Sequence, residues 1–186
     1  MLVINFHPFQ ILETERLVLR RLTASDSNEI IELRGNPETM KFIPRPLITN
    51  HEEAIAFLNV IDENIDTNLA INWAITIKGA DKMIGIAGIY RIQPENYRGE
   101  IGYMIMPQYH NKGYVTEAAK AITDFGFNQL NLNSIEAVIA PENSASEKVL
   151  IKNGYTKEGH FIEKECYNGV FLDNAIYTLL KRNFKQ

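Results

Sequence analysis

Six consecutive residues, Asn111-Lys112-Gly113-Tyr114-Val115-Thr116, have the makings of a site for a phosphate-bearing anion. They follow an extended run, Glu100 to Ile105, that Pro107 stops, because proline has no N–H to give to a sheet ladder. They lead into a helix opened by Thr116 and Glu117, whose apolar residues Ala118, Ala121, Ile122 and Phe125 fall at i, i+3, i+4 and i+7. A helix that starts straight after a glycine-centred loop offers free amides and the positive end of its dipole. Gly113 lets a bulky anion approach the backbone, the first-turn amides can hold phosphate oxygens, and Lys112 adds a positive charge. The same pattern also suits an ordinary strand–loop–helix turn in which the glycine only caps the helix.

Two other phosphate motifs are absent. The chain has no Gly-x-x-x-x-Gly-Lys-Ser/Thr loop, and no Gly-x-Gly-x-x-Gly opens a helix. Four scattered histidines and the single Cys166 give no metal-ligand spacing, so no metal is expected. Cys166 has no histidine beside it in sequence and reads as a hairpin residue, not a nucleophile.

The elements that must position the cradle can be read in order. Residues 1–13 read as a loose lead-in, and Arg16-Leu17-Val18-Leu19-Arg20 alternates charged and aliphatic residues as a half-buried strand does. Thr23 to Asp26 has capping-box form before a short helix that Gly35-Asn36-Pro37 closes. Residues 36–48 read as an irregular loop around Pro44 and Pro46. Thr49 to Glu52 is a second capping box, before a helix with the stripe Ala54, Phe57, Leu58, Ile61 and Ile65. After Asn68 the period becomes two, giving a hairpin of Ile71–Ile77 and Met83–Tyr90, with Trp73 and Tyr90 expected mainly in core packing. Beyond the cradle come a strand over 134–139, a helix led by Pro141-Glu142-Asn143-Ser144 and capped by Gly154, and two strands turning at Asn168-Gly169.

Composition bounds the function. A chain of 186 residues, 45% hydrophobic and 23% charged, suits one domain with a full core. A net charge of −4 argues against a general nucleic-acid binder, since no basic excess is available to neutralise phosphates. One cysteine fits a reducing compartment, the N-terminus lacks an export signal, and no apolar stretch approaches the roughly 18 residues that span a bilayer. A soluble cytoplasmic protein, monomer or homodimer, is expected.

The string Gly102-Tyr103-Met104-Ile105 through Pro107 and Tyr109 to Lys112-Gly113-Tyr114, then Thr116-Glu117-Ala118, resembles motif A of the GNAT superfamily of acyl-CoA N-acyltransferases. It is most similar to the ribosomal-protein-alanine N-acetyltransferase branch. That motif runs Gln/Arg-x-x-Gly-x-Gly/Ala; here the central glycine matches, while His110 and Val115 depart from the outer positions. Residues 14 to 182 share the likeness, Asn143-x-x-Ser146 to Asn153-Gly154-Tyr155 resembling motif B.

The resemblance implies an α/β fold: a mixed, mostly antiparallel twisted sheet of about seven strands, flanked by about four helices. The sheet would splay between its fourth and fifth strands, and residues 1–186 would form one N-acetyltransferase domain. It implies acetyl-CoA as cosubstrate, its diphosphate on residues 111–116 and its pantetheine arm along Tyr103-Met104-Ile105, with Asn143 and Ser146 opposite. Asn143 and Ser146 are equally types that cap helices. Many members place a carboxylate near Glu100 as general base, and burial would raise its pKa toward a useful value; pairing with Arg98 or Arg91 is the other role open to it. The tyrosine that many members use to protonate the thiolate is Leu150 here, leaving Ser146 or water, or no acid at all, since a thiol of pKa about 8.5 leaves readily. The acceptor implied is an amine at a protein N-terminus. A small amine such as a polyamine or aminoglycoside, or a catalytically silent CoA-binding role, are the alternatives.

Overall fold

The computed structural model describes residues 1–185. Its centre is set by two apolar runs in strands β3 (Ile71–Ile77) and β4 (Met83–Gln93), which pair antiparallel and are buried residue after residue over 71–76 and 83–89. Burial on both faces requires cover on both sides of the sheet. Helix α4 (Tyr114–Asn128) covers one: Trp73 of β3 is fully buried with its ring edge-on to Phe125 at 5.2 Å. Alternation along β3 then turns Asn72 to the other side, where α1 (Ser27–Arg34) packs on β4 and α3 (His51–Asp66) on β3.

The sheet has eight strands, in the order β1-β2-β3-β4-β5-β6-β8-β7, where β1 is Leu12–Glu13, β2 Leu17–Arg20, β5 Arg98–Ile105, β6 Ser134–Ile139, β7 Thr156–Tyr167 and β8 Val170–Leu180. Neighbours are antiparallel except β5 and β6. That parallel pair holds only at Arg98–Ser134, Gly99–Ile135 and Glu100–Glu136. Beyond Glu100 the two strands part, so the β6-facing edge of residues 101–105 is open. These are the fourth and fifth strands of the expected fold, the two-residue β1 having moved the count by one.

Several local expectations shift by a residue or more. Residues 1–13 are tied in: Phe6 is 1% exposed and Leu12–Glu13 pairs with Val18–Leu19. The loop 36–48 contains a short helix, α2 (Pro37–Met40), which Asn36 caps by accepting the Glu38 N–H. The second capping box is one residue later, with Asn50 accepting from the Glu53 N–H and Glu53 accepting from the Thr49 N–H. Helix α5 (Ser144–Lys152) ends at Gly154, φ +85°, as the cap requires.

Candidate active site

Helix α4 begins at Tyr114, two residues before the Thr116-Glu117 opening expected from sequence. Gly113 takes φ +79°, a left-handed conformation that suits glycine, and is itself the N-cap of α4; Tyr114, Val115 and Thr116 form the first turn. From Asn111 to Thr116 the backbone N–H groups have no acceptor among the described residues, on backbone or side chain. Six adjacent donors at the positive end of a fifteen-residue helix form a concave anion site. Asn111 sits at φ +59°, which turns the loop toward the helix.

Arg16, from the start of the first pairing strands, completes this corner and was not singled out from sequence. Its guanidinium donates to the Lys112 carbonyl at 2.9 Å and pairs with Glu117 at 2.6 Å, while lying 4.8 Å over the Tyr114 ring. Glu117 also accepts from Thr14 Oγ1 and the Arg16 N–H. Burial pushes the Glu117 carboxyl up, but these bonds, led by that from Thr14, outweigh it and hold its pKa below the ordinary value. Glu117 therefore clamps the N-terminal strands to the loop. Nothing local in the sequence announces a contact across about a hundred residues. Lys112 lies over the Tyr109 ring at 5.3 Å with its ammonium exposed beside the loop.

The open edge of β5 runs from the cradle toward Glu100. Alternation divides its side chains. Glu100, in register with Tyr90, lies on the face of Asn72, whose amide donates to the Tyr90 hydroxyl. Tyr103 points the other way, to α5, where its hydroxyl is 2.9 Å from Ser146 Oγ and donates to the Ser146 carbonyl at 3.2 Å. Met104 and Ile105 are nearly buried at the strand end. Asn143 caps α5 by accepting the Ser146 N–H at 3.1 Å, so its side chain has the capping role in this structure. Leu150 is 1% exposed and belongs to the core.

Glu100 carries two opposing influences. Burial raises its pKa; Arg91, whose Nη1 donates to it at 2.7 Å, lowers it, and Glu136 and Glu165 raise it again. Burial wins, and the pKa stands above the ordinary carboxylate value. The guanidinium that opposes it is 63% exposed, where solvent weakens its pull. Arg98 is engaged elsewhere, in an ion pair with Glu136. Tyr90 is pushed up to about 12, first by burial, and remains a neutral donor. Across the mouth, Arg45 of the 41–50 loop pairs with Glu165 of β7 at 3.1 Å. Cys166 is exposed on β7 opposite Phe171. Among the described residues no group of histidine, cysteine and acidic side chains could hold a metal ion, and no helix is long and apolar enough to cross a membrane.

The parts permit one kind of chemistry. A concave set of amides can hold an anionic carrier, an open strand edge can guide its arm, and a carboxylate of raised pKa ends that edge on one face, with a serine–tyrosine pair on the other.

Comparison with known proteins gives the family and the fold. Residues 16–156 match the model of the acetyltransferase (GNAT) domain, which stops short of the β7–β8 hairpin. The N-acetyltransferase p20 of Bacillus licheniformis is 34% identical over 93% of this chain and 97% of its own. The spermidine N(1)-acetyltransferase of Escherichia coli K12 is 26% identical over 85% and 82%. Among solved structures, the ribosomal-protein-S5-alanine acetyltransferase of Vibrio fischeri superposes with a TM-score of 0.82 at 25% identity, over 95% of this chain and 100% of that one. RimL, a ribosomal L7/L12 alpha-N-protein acetyltransferase in complex with coenzyme A, gives 0.80 at 20% identity over 92% and 98%.

Proposed function

The chain belongs to the GNAT acetyltransferase family and is an N-acetyltransferase; from that premise we propose that it moves the acetyl group of acetyl-CoA to the α-amine of a protein or peptide N-terminus, within one ternary complex. The observation that carries the reading is the run of free amides at 111–116 at the end of the open β5 edge. Coenzyme A in the RimL structure, on the same fold, supports the choice of donor.

The residues divide the work as follows. Amides 111–116 receive the diphosphate, with Lys112 adding charge, and the arm pairs along Tyr103-Met104-Ile105 as a peptide adds to a sheet edge. Asn143 closes the far side through the turn it caps. The amine attacks the thioester carbon from the Glu100 face; Glu100 accepts the proton the nitrogen must lose, directly or through water. The carbon–sulfur bond then breaks, and the thiolate leaves as such or takes a proton that Ser146 relays from water, the hydroxyl regaining from solvent the proton it gives, with the buried Tyr103 hydroxyl 2.9 Å from it. Leu150 cannot do this.

The acceptor follows from proton chemistry. An α-amine with pKa about 7.7–8.0 is roughly one-tenth neutral at pH 7, whereas a lysine amine near 10.4 is neutral in well under one part in a thousand, a difference of about 3 kcal/mol. A single carboxylate base paired to Arg91 suits the easier acceptor. The ribosomal-protein-alanine neighbour points the same way. The spermidine relative favours a polyamine, but the mouth offers Arg34, Arg45, Arg91 and Arg98 and, among the described residues, no unpaired acidic cluster. Such a site, with a free thiol on its hairpin, fits a reducing cytoplasm. Matched peptides decide the acceptor by mass spectrometry, one lysine-free with a free N-terminus and one blocked at the N-terminus with a lysine, assayed beside spermidine. Acetylation of the free N-terminus should dominate. Acetyl groups mainly on the blocked peptide's lysine, or on spermidine, would reject the α-amine.

A further inference from the structure

Arg34 ends α1 with a guanidinium that has no hydrogen-bond or ion-pair partner among the described residues. Its Nε is shut off from solvent and has no hydrogen-bond partner. No carboxylate among the described residues pairs with it, whereas Arg45, Arg91 and Arg98 pair with Glu165, Glu100 and Glu136. These make four cations and three anions, and Arg34 is the one left over.

Its placement is specific. The guanidinium carbon lies 4.5 Å over the Phe57 ring of α3, so stacking holds the planar group while its edge stays available. The Ile48 N–H donates to the Arg34 carbonyl at 3.3 Å, closing the 35–48 loop beside it. Helix α1 packs on β4, on the side of the sheet where Tyr90 and its cross-strand neighbour Glu100 share a face, and the Tyr90 hydroxyl is close enough to feel the Arg34 charge. Arg34 therefore looks onto the face of the sheet from which the amine must reach Glu100. Part-burial of a charge with unmet donors is costly, and a methionine would stack on Phe57 without that cost. The fork of an arginine matches one ligand well, a carboxylate held by two parallel hydrogen bonds.

We propose that Arg34 recognises a carboxylate on the acceptor, so that the favoured substrate is an N-terminal peptide with an acidic side chain at its second or third residue. This rests on the α-amine reading and narrows it. It also gives a reason for a polyamine to be refused, since its positive charges would meet an unpaired arginine.

The test uses two series of lysine-free peptides that begin with Ala and differ only at the second or the third residue, as Glu, Gln or Arg. In at least one series the wild type should acetylate Glu over Gln by about tenfold or more in kcat/KM, with Arg slowest, the usual scale of a charge-assisted pair. Arg34→Met, which keeps the stem over Phe57, should bring the Glu-to-Gln ratio to about one; Arg34→Lys, with charge but no fork, should leave a reduced ratio. Indifference to the acid in both wild-type series, or a ratio that survives Arg34→Met, would overturn the inference and leave the α-amine reading intact. Transfer to spermidine with none to any peptide would overturn both. The wild-type series needs no variant to fold.

Discussion

Replacing Gly113 with alanine separates the cradle's chemistry from its backbone strain. An L-residue in the left-handed region costs about 1–2 kcal/mol, so Gly113→Ala should lower Tm by about 2–8 °C for a chain of this size. Gly79→Ala, at φ +84° with nothing within 4 Å of its new methyl, should lower Tm by a similar amount. Only at Gly113 does the methyl meet a working part: it comes to 3.3 Å from Arg16 Nη2, while Arg16 also holds the Lys112 carbonyl and Glu117. One side must give by a few tenths of an ångström, and because Arg16 is held at both ends the expected response is a shift of the loop and of amides 111–116 with it. A hydrogen bond to a charged group is worth about 1.5–3 kcal/mol, so losing even one should weaken coenzyme A about tenfold to a hundredfold. Titration calorimetry on both variants, each shown folded by scanning calorimetry, measures this. Gly79→Ala should bind as the wild type does. A folded Gly113→Ala with unchanged affinity, or equal losses in both variants, would refute the assignment of the cradle.

Glu100→Gln should lower kcat by about a hundredfold to ten-thousandfold, the usual worth of a general base. Because the base works ionised and its pKa is raised, the wild-type rate should climb with pH through a value above the ordinary carboxylate range; Arg91→Gln removes the opposing charge and should move that limb to higher pH. A limb that Arg91→Gln leaves in place would return Glu100 to a rim ion pair. Ser146→Ala and Tyr103→Phe should each slow turnover, and the double variant should be little slower than Ser146→Ala alone, as expected of two members of one hydrogen-bonded unit; additive losses would separate them. Asp26, buried and bonded to Arg20 at 2.7 and 2.9 Å, should cost about 3 kcal/mol when changed to asparagine at pH 7. Burial alone would raise the Asp26 pKa, but Arg20 and the Thr23 N–H lower it below 3.8. Its contribution is therefore full above that pH and fades as pH falls through the lowered value, and urea midpoints at pH 7 and pH 3 should show the gap closing.

What was legible in the sequence was local. The strand, the glycine loop and the apolar stripe of α4 stand within 28 residues, and each has a periodic or stereochemical signature. The start of α4 was placed two residues late because Thr116-Glu117 looks like a helix opening; Glu117 is in the first turn, but its carboxylate serves Thr14 and Arg16, a contact no local pattern encodes. The Asn50–Glu53 box was displaced for a related reason, since Thr49 is as good a cap by type and only the fold shows which oxygen receives the N–H. Proline density hid α2, although Pro37 at its first turn is a favoured position. Glu100 was legible through the resemblance, but its balance of burial against Arg91 belongs to the assembled sheet. Arg34 left no signal at all, because its importance lies in partners it lacks.

The most direct test of the central claim is amide hydrogen exchange, by NMR or mass spectrometry, with and without acetyl-CoA. Residues 111–116 and the open edge at 101–105 should exchange more slowly when the donor is bound, while the β3–β4 pair, already hydrogen-bonded, should change little. Protection that appears elsewhere, with 111–116 exchanging at the free rate in a saturated complex, would contradict the site described for this acetyltransferase.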